Sequence, residues 1–210
     1  MWPALLLVTG LTAVFGLLAS LVDPAAGGLA AFVATTIWVH GPVSPLLPAA
    51  YEPVLMHYGT LYPPLVVAAV GTVANLVVEA LNYVLYGKML SSASLSRLTE
   101  TRMARWALAL FRRSPFLAVW IGTWSPIPDW TIRLLAPMSR YPLGRYLVAM
   151  GLGRFPRYWL FAELGRRVGV PGAWLAAALS LSLIVGLVVA WRHRAVRVSQ
   201  DPEQLVRVAA

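Results

Sequence analysis

There is no cysteine anywhere in the 210-residue chain, so disulfides and thiolate chemistry are excluded and the redox compartment is left undetermined. Charge is scarce as well. Charged residues make up 12% of the sequence, where soluble domains run near a quarter. Acidic residues are the scarcest of these, 8 against 17 Lys plus Arg, and histidines number 3. The usual enzyme signatures are missing too: no HExxH, no D-x-x-D-G phosphotransferase motif, and no serine–histidine pair at a plausible spacing. No cofactor-binding or metal-ligand pattern is present either. What fills the chain is apolar: 59% hydrophobic residues and a mean hydropathy of +0.71. This is the composition of an all-α integral membrane protein. The net charge of +9 could serve nucleic acid, but the basic residues flank apolar segments as cytoplasmic loops do, and no nucleic-acid partner is expected.

In chain order, Trp2–Val22 is an uncharged run long enough to cross a bilayer, without the basic start of a secretory signal, and Asp23-Pro24 closes it. Gly27–His40 is apolar but short. It runs into Gly41–Pro53, which holds four prolines and Glu52, and then into Val54–Leu61. Two short apolar runs around a proline-rich break predict a re-entrant pair of half-helices. Pro63–Tyr86 is long enough to cross, yet Thr72, Asn75, Glu79, Asn82, Tyr83 and Tyr86 recur at spacings of three and four. They therefore share one helical face, which should point inward. A charge at the bilayer centre costs about 2.5–3.5 kcal/mol on insertion scales. Glu79 must be protonated, paired, near water, or hydrogen-bonded to Asn75 or Tyr83.

Lys88–Arg113 is strongly basic, with Leu95, Leu98, Met103, Trp106, Ala107 and Leu110 loosely on one side. An interfacial amphipathic helix is expected. Ser114–Trp124, the break at Pro126 and Pro128, and Asp129–Met138 then repeat the plan of apolar run, prolines, apolar run. Asp129 and Arg133 lie four apart and can face each other as a pair. Leu143–Leu164 crosses again with Arg145, Arg154, Arg157 and Glu163, a proline at Pro156 that should kink it, and Glu163 paired locally with Arg167. Gly172–Trp191 is the cleanest span. The expectation is about four transmembrane helices plus two opposed re-entrant half-helix pairs in an inverted repeat, with a polar site near the midplane where the breaks meet. Residues 1–191 would form one membrane domain and 192–210 a basic cytoplasmic tail. His57 reads as packed or interfacial, and His40 as structural or exposed.

Three blocks resemble the DedA family and the wider VTT-domain (SNARE-associated, vacuolar-membrane-protein-like) superfamily. They are PAAYEPVLMHYG, GTVANLVVEALNYVLYG, and SPIPDWTIRLLAPMSRYPLGRYLVAMGLGRFPRYWLFAELG, spanning roughly Gly41–Gly165 in the family's order and spacing. The resemblance implies two opposed re-entrant segments in a bacterial inner (plasma) membrane. It also implies transport of a lipid phosphate, either undecaprenyl phosphate or a phospholipid headgroup, by a flippase or scramblase. Glu52 and Glu79 match acidic positions implicated in proton coupling. The family's two arginines, three residues either side of Pro126, are replaced by Thr123 and Asp129. The expected substrate-binding set is therefore Arg133, Asp129, Arg154, Arg157, Asn75 and Tyr83, with an anionic membrane lipid and protons as partners and a homodimer left open. The alternatives are a proton-coupled ion or small-molecule transporter, and a membrane scaffold without transport.

Overall fold

The prolines that punctuate the sequence set the element boundaries. The computed structural model describes residues 23–41, 51–90, 102–124 and 129–173. Seven helices and no strands occur among the described residues: α1 (Pro24–His40), α2 (Glu52–Leu61), α3 (Pro64–Leu90), α4 (Arg102–Arg113), α5 (Pro115–Trp124), α6 (Asp129–Met138) and α7 (Leu143–Val168). Outside the described residues lie the Trp2–Val22 crossing, most of the first proline-rich run, the Ser125–Pro128 break, nearly all of Gly172–Trp191, the tail, Leu95, Leu98 and the side chain of Asp129.

Asp23 caps α1, its carboxylate accepting from the Ala25 N–H at 2.9 Å, and Pro24 takes a first-turn position where no N–H is needed. The same Asp-Pro pair that closes one apolar run thus opens the next. Tyr62, held extended ahead of Pro63 and Pro64, separates α2 from α3. Gly169 closes α7 with φ +69°, the left-handed cap that glycine adopts without penalty. α7 runs unbroken as helix through Pro156. The bounds of α6 coincide with those read from the sequence.

α3 is 27 residues long, about 40 Å at 1.5 Å per residue, and is the one helix among the described residues both long and apolar enough to cross a membrane. Its two faces are inverted relative to a soluble helix. Val73, Val77 and Leu81 are 63%, 56% and 59% exposed, while Thr72, Asn75, Glu79, Asn82 and Tyr86 are buried. Val148 and Leu152 make a similar apolar exterior on α7. Apolar residues outward and polar ones inward are what a lipid environment selects. On α4, Trp106 and Leu110 are exposed, as on an interfacial helix, and Phe111, off the expected apolar side, is the residue that packs inward beside Tyr141.

α7 packs along α3 and also against α2 and α5, and α1 and α6 flank α3. Where α2 and α7 cross, the backbones nearly touch. A Cβ at Gly59 would fall on the Ala162 backbone, and one at Gly165 on that of Met56. In lipid, where burial does little to drive helices together, such close approach supplies the packing energy. Two apolar clusters result, one around Phe32, Val54, Val67 and Tyr158, the other around Val119, Ile132, Tyr146 and Met150. On α7 the four-residue series that runs from Tyr146 to Tyr158 passes through Met150 and Arg154. Gly165→Ala should destabilise the fold by about 1–3 kcal/mol through overpacking, read as a lower melting temperature in detergent. Gly144→Ala, where a Cβ meets nothing within 4 Å, should be neutral or stabilising, and the reverse order would refute the crossing geometry.

Candidate functional site: a buried ion cluster

The inward stripe of α3 carries Glu79 to full burial at 0% exposure. Its Oε1 meets Nη2 of Arg133 on α6 at 2.7 Å and Nη2 of Arg154 on α7 at 3.3 Å. Its Oε2 accepts from the Tyr146 hydroxyl at 3.1 Å. Arg133 and Arg154 are each 3% exposed. One carboxylate thus ties three helices together through two guanidiniums and a phenol.

The polar chain continues from Arg154, whose Nη1 donates to the Tyr158 hydroxyl at 2.8 Å. That hydroxyl stands 3.3 Å from Nε2 of His40, whose Nδ1 is 3.1 Å from the Thr36 carbonyl. A carbonyl only accepts, so Nδ1 carries the proton and Nε2 accepts from Tyr158. Asn82 Nδ2 donates to the His40 carbonyl at 2.9 Å. The Thr36 hydroxyl donates to the Phe32 carbonyl, so Tyr51, 2.6 Å from it, donates in turn. The network runs from Tyr51 beside α2 through α1 and α7 to the carboxylate on α3.

A second, outer pair joins Arg157 to Glu52, with side chains 22% and 31% exposed. The other arm of Arg157 donates to the Thr123 carbonyl at 2.6 Å. Glu52 stands at the end of the first proline-rich run and Thr123 precedes the second break. Arg157 therefore bridges the flanks of the two interruptions. Glu163 pairs locally with Arg167 at 2.8 Å, as its spacing implied, and also with Arg166 at 2.7 Å.

Of the expected site residues, the structure gathers Glu79, Arg133 and Arg154 in one cluster and Glu52 and Arg157 in another. Tyr83 belongs to neither: its hydroxyl donates to the Tyr141 carbonyl at 2.7 Å, fixing the α6–α7 turn against α3. Glu79 is held by Tyr146 and the arginines and not by Asn75 or Tyr83. Asn75 is wholly buried, with no hydrogen-bond partner for either amide atom among the described residues. The Asp129 side chain, and so its pairing with Arg133, falls outside them. Of the two readings of His40, structural or exposed, the structure has the structural one: it is buried at 5% exposure in the polar network. Tyr146 and Tyr158 were missed. The series Tyr146, Met150, Arg154, Tyr158, four apart throughout, is the signal that marks them as one helical face.

Among the described residues the chain is all-helical, with apolar outer faces and ion pairs sealed inside, an arrangement that suits a membrane protein. A match to the VTT domain spans residues 47–167, more than half of the chain, and the chain belongs to that family, the DedA/SNARE-associated domain. The match contains every member of both ion clusters and stops short of Thr36 and His40. The family is membrane-associated and of transporter type, not a known enzyme family. Searches among curated proteins and among solved structures return no match.

Removing one partner of a buried pair leaves the other charge uncompensated. Glu79→Ala should therefore lower unfolding stability by about 3–5 kcal/mol, whereas Glu52→Ala, in the half-buried pair, should cost about 1 kcal/mol or less. Chemical or thermal unfolding in detergent distinguishes these, and equal losses would contradict the two-tier arrangement.

Proposed function

We infer that the protein translocates an anionic membrane lipid, a polyprenyl phosphate or a phospholipid headgroup, across the bilayer in a proton-linked cycle. The observation that carries this reading is the sharing of Glu79 by two buried arginines. A lipid phosphate and the Glu79 carboxylate compete for the same guanidinium donors. When the phosphate reaches Arg133 and Arg154, Glu79 gives them up and takes a proton, so that the carboxylate is not left buried as an unpaired charge. Release of the phosphate on the other side returns the carboxylate, deprotonated, to the arginines. The acyl or prenyl chain stays in the lipid beside the apolar outer faces of α3 and α7.

In this reading α1 with α2 and α5 with α6 are the half-helices of two opposed re-entrant segments, and Arg157 with Glu52 and the Thr123 carbonyl forms the polar junction between them. The protein would reside in the inner (plasma) membrane with the basic α4 and the C-terminus on the cytoplasmic side, following the positive-inside rule. The short lengths of α2, α5 and α6, 10 residues each, support half-helices, since about 20 residues are needed to cross.

The test is headgroup translocation in proteoliposomes. Arg133→Ala removes a charged hydrogen-bonding partner of the phosphate, with an expected loss of about ten- to a hundredfold in rate. Glu79→Gln should abolish acceleration by an imposed pH gradient. Wild-type rates and gradient response in both variants would overturn the reading, and uptake of a water-soluble anion with no lipid movement would replace it with ion transport.

A further inference from the structure

The polar stripe of α3 carries more hydrogen-bonding atoms than the ion cluster uses. One turn before Glu79, Asn75 is wholly buried, and both its Oδ1 and Nδ2 lack a hydrogen-bond partner among the described residues. Thr72 Oγ1, a turn further on the same face, is buried and equally unpartnered. On the other side of Glu79, Asn82 gives its Nδ2 to the His40 carbonyl at 2.9 Å. That bond fixes the orientation of the amide and leaves Oδ1 buried without a donor. Buried polar atoms in native proteins nearly always find a partner, so a row of open ones marks a place where something else binds. These flank the carboxylate that Arg133 and Arg154 share.

The open atoms constrain what fits. Asn82 Oδ1 and Asn75 Oδ1 can only accept, Thr72 can accept or donate, and Asn75 Nδ2 can only donate. A terminal phosphate dianion carries acceptors alone. It suits the guanidiniums and Nδ2 but gives nothing to the two amide oxygens. A metal cation would suit the oxygens but not the two guanidiniums that α6 and α7 bring to Glu79. A phosphodiester headgroup with O–H or N–H donors beyond the phosphate offers acceptors to the guanidiniums and a donor to the Asn75 oxygen one turn away.

We propose that Thr72 and Asn75, one turn apart on the same side of Glu79, form a headgroup subsite beside the Glu79 cluster, selecting lipids whose phosphate bears a hydroxyl or ammonium group over those ending in a bare phosphate. The proposal rests on the lipid-transport reading. Its test uses the full chain in proteoliposomes with acyl-labelled phosphatidylglycerol, phosphatidylethanolamine and phosphatidic acid as separate probes. A hydrogen bond lost from a buried polar group corresponds to about tenfold in rate. Phosphatidylglycerol or phosphatidylethanolamine should accordingly move about tenfold faster than phosphatidic acid, the faster of the two telling a hydroxyl from an ammonium ligand. Asn75→Leu, of similar volume without the amide, should bring that ratio close to one, and Thr72→Val should lower it. Equal wild-type rates for all three probes, or a preference that survives both substitutions, overturns the subsite while leaving transport intact. Should Asn75→Leu fail to fold, the wild-type ratio and Thr72→Val still decide. If no probe moves faster than in protein-free vesicles, the transport reading falls and the subsite with it.

Discussion

An ion in a medium of low dielectric has to be neutralised where it stands, because water is not there to do it. Glu79 sits at 0% exposure on the inner face of a membrane-length helix, and the groups that answer it come from α6 and α7. Much of the tertiary arrangement follows from that requirement. Arg133 can reach the carboxylate only if α6 lies against α3, and Arg154 only if α7 does. In lipid the hydrophobic effect gives helices little reason to associate. Polar contacts of this kind, together with the glycine-lined crossing of α2 and α7, therefore do work that an apolar core does in water.

A buried ion triad is a weak device for stability alone, since well-packed apolar residues can often replace one at no loss. It fits better where charges must be exchanged. Under the proposed function, competition between the carboxylate and an incoming anion for the same guanidiniums would turn a static pairing into a two-state one. Arg154 and Arg157 lie three residues apart on α7, one in the sealed cluster and one in the half-exposed pair. A single helix thus connects the flanks of both interrupted segments to the interior.

Much of this was legible in the sequence where local periodicity carried it. The α3 stripe could be read because threes and fours along one helix fix a face without knowing the neighbours. The lengths of the short helices could be read because prolines fix boundaries. The identity of the partners could not. Glu79 and Arg154 are 75 positions apart and Tyr158 and His40 are 118 apart, and no periodicity links them. A histidine in an apolar run looks isolated until Tyr158 arrives from α7. Tyr83 shows the converse error: it lies at the edge of the polar stripe, yet its hydroxyl reaches past the cluster to the Tyr141 carbonyl. Phe111 anchors α4 from a position that the apolar spacing of that helix did not mark, because what it packs against, Tyr141, belongs to another segment.

The central claim is that Glu79 is held in hydrocarbon by guanidiniums from other helices. A double-mutant cycle over Glu79→Gln and Arg133→Met, read by reversible unfolding in detergent, measures that hold directly. Coupled contacts give interaction energies up to about 3 kcal/mol, and the account predicts a value of at least about 1.5 kcal/mol, with the double variant more stable than the sum of the single losses implies. Losses that add to within about 0.5 kcal/mol would mean that the two side chains do not depend on each other, and would contradict it.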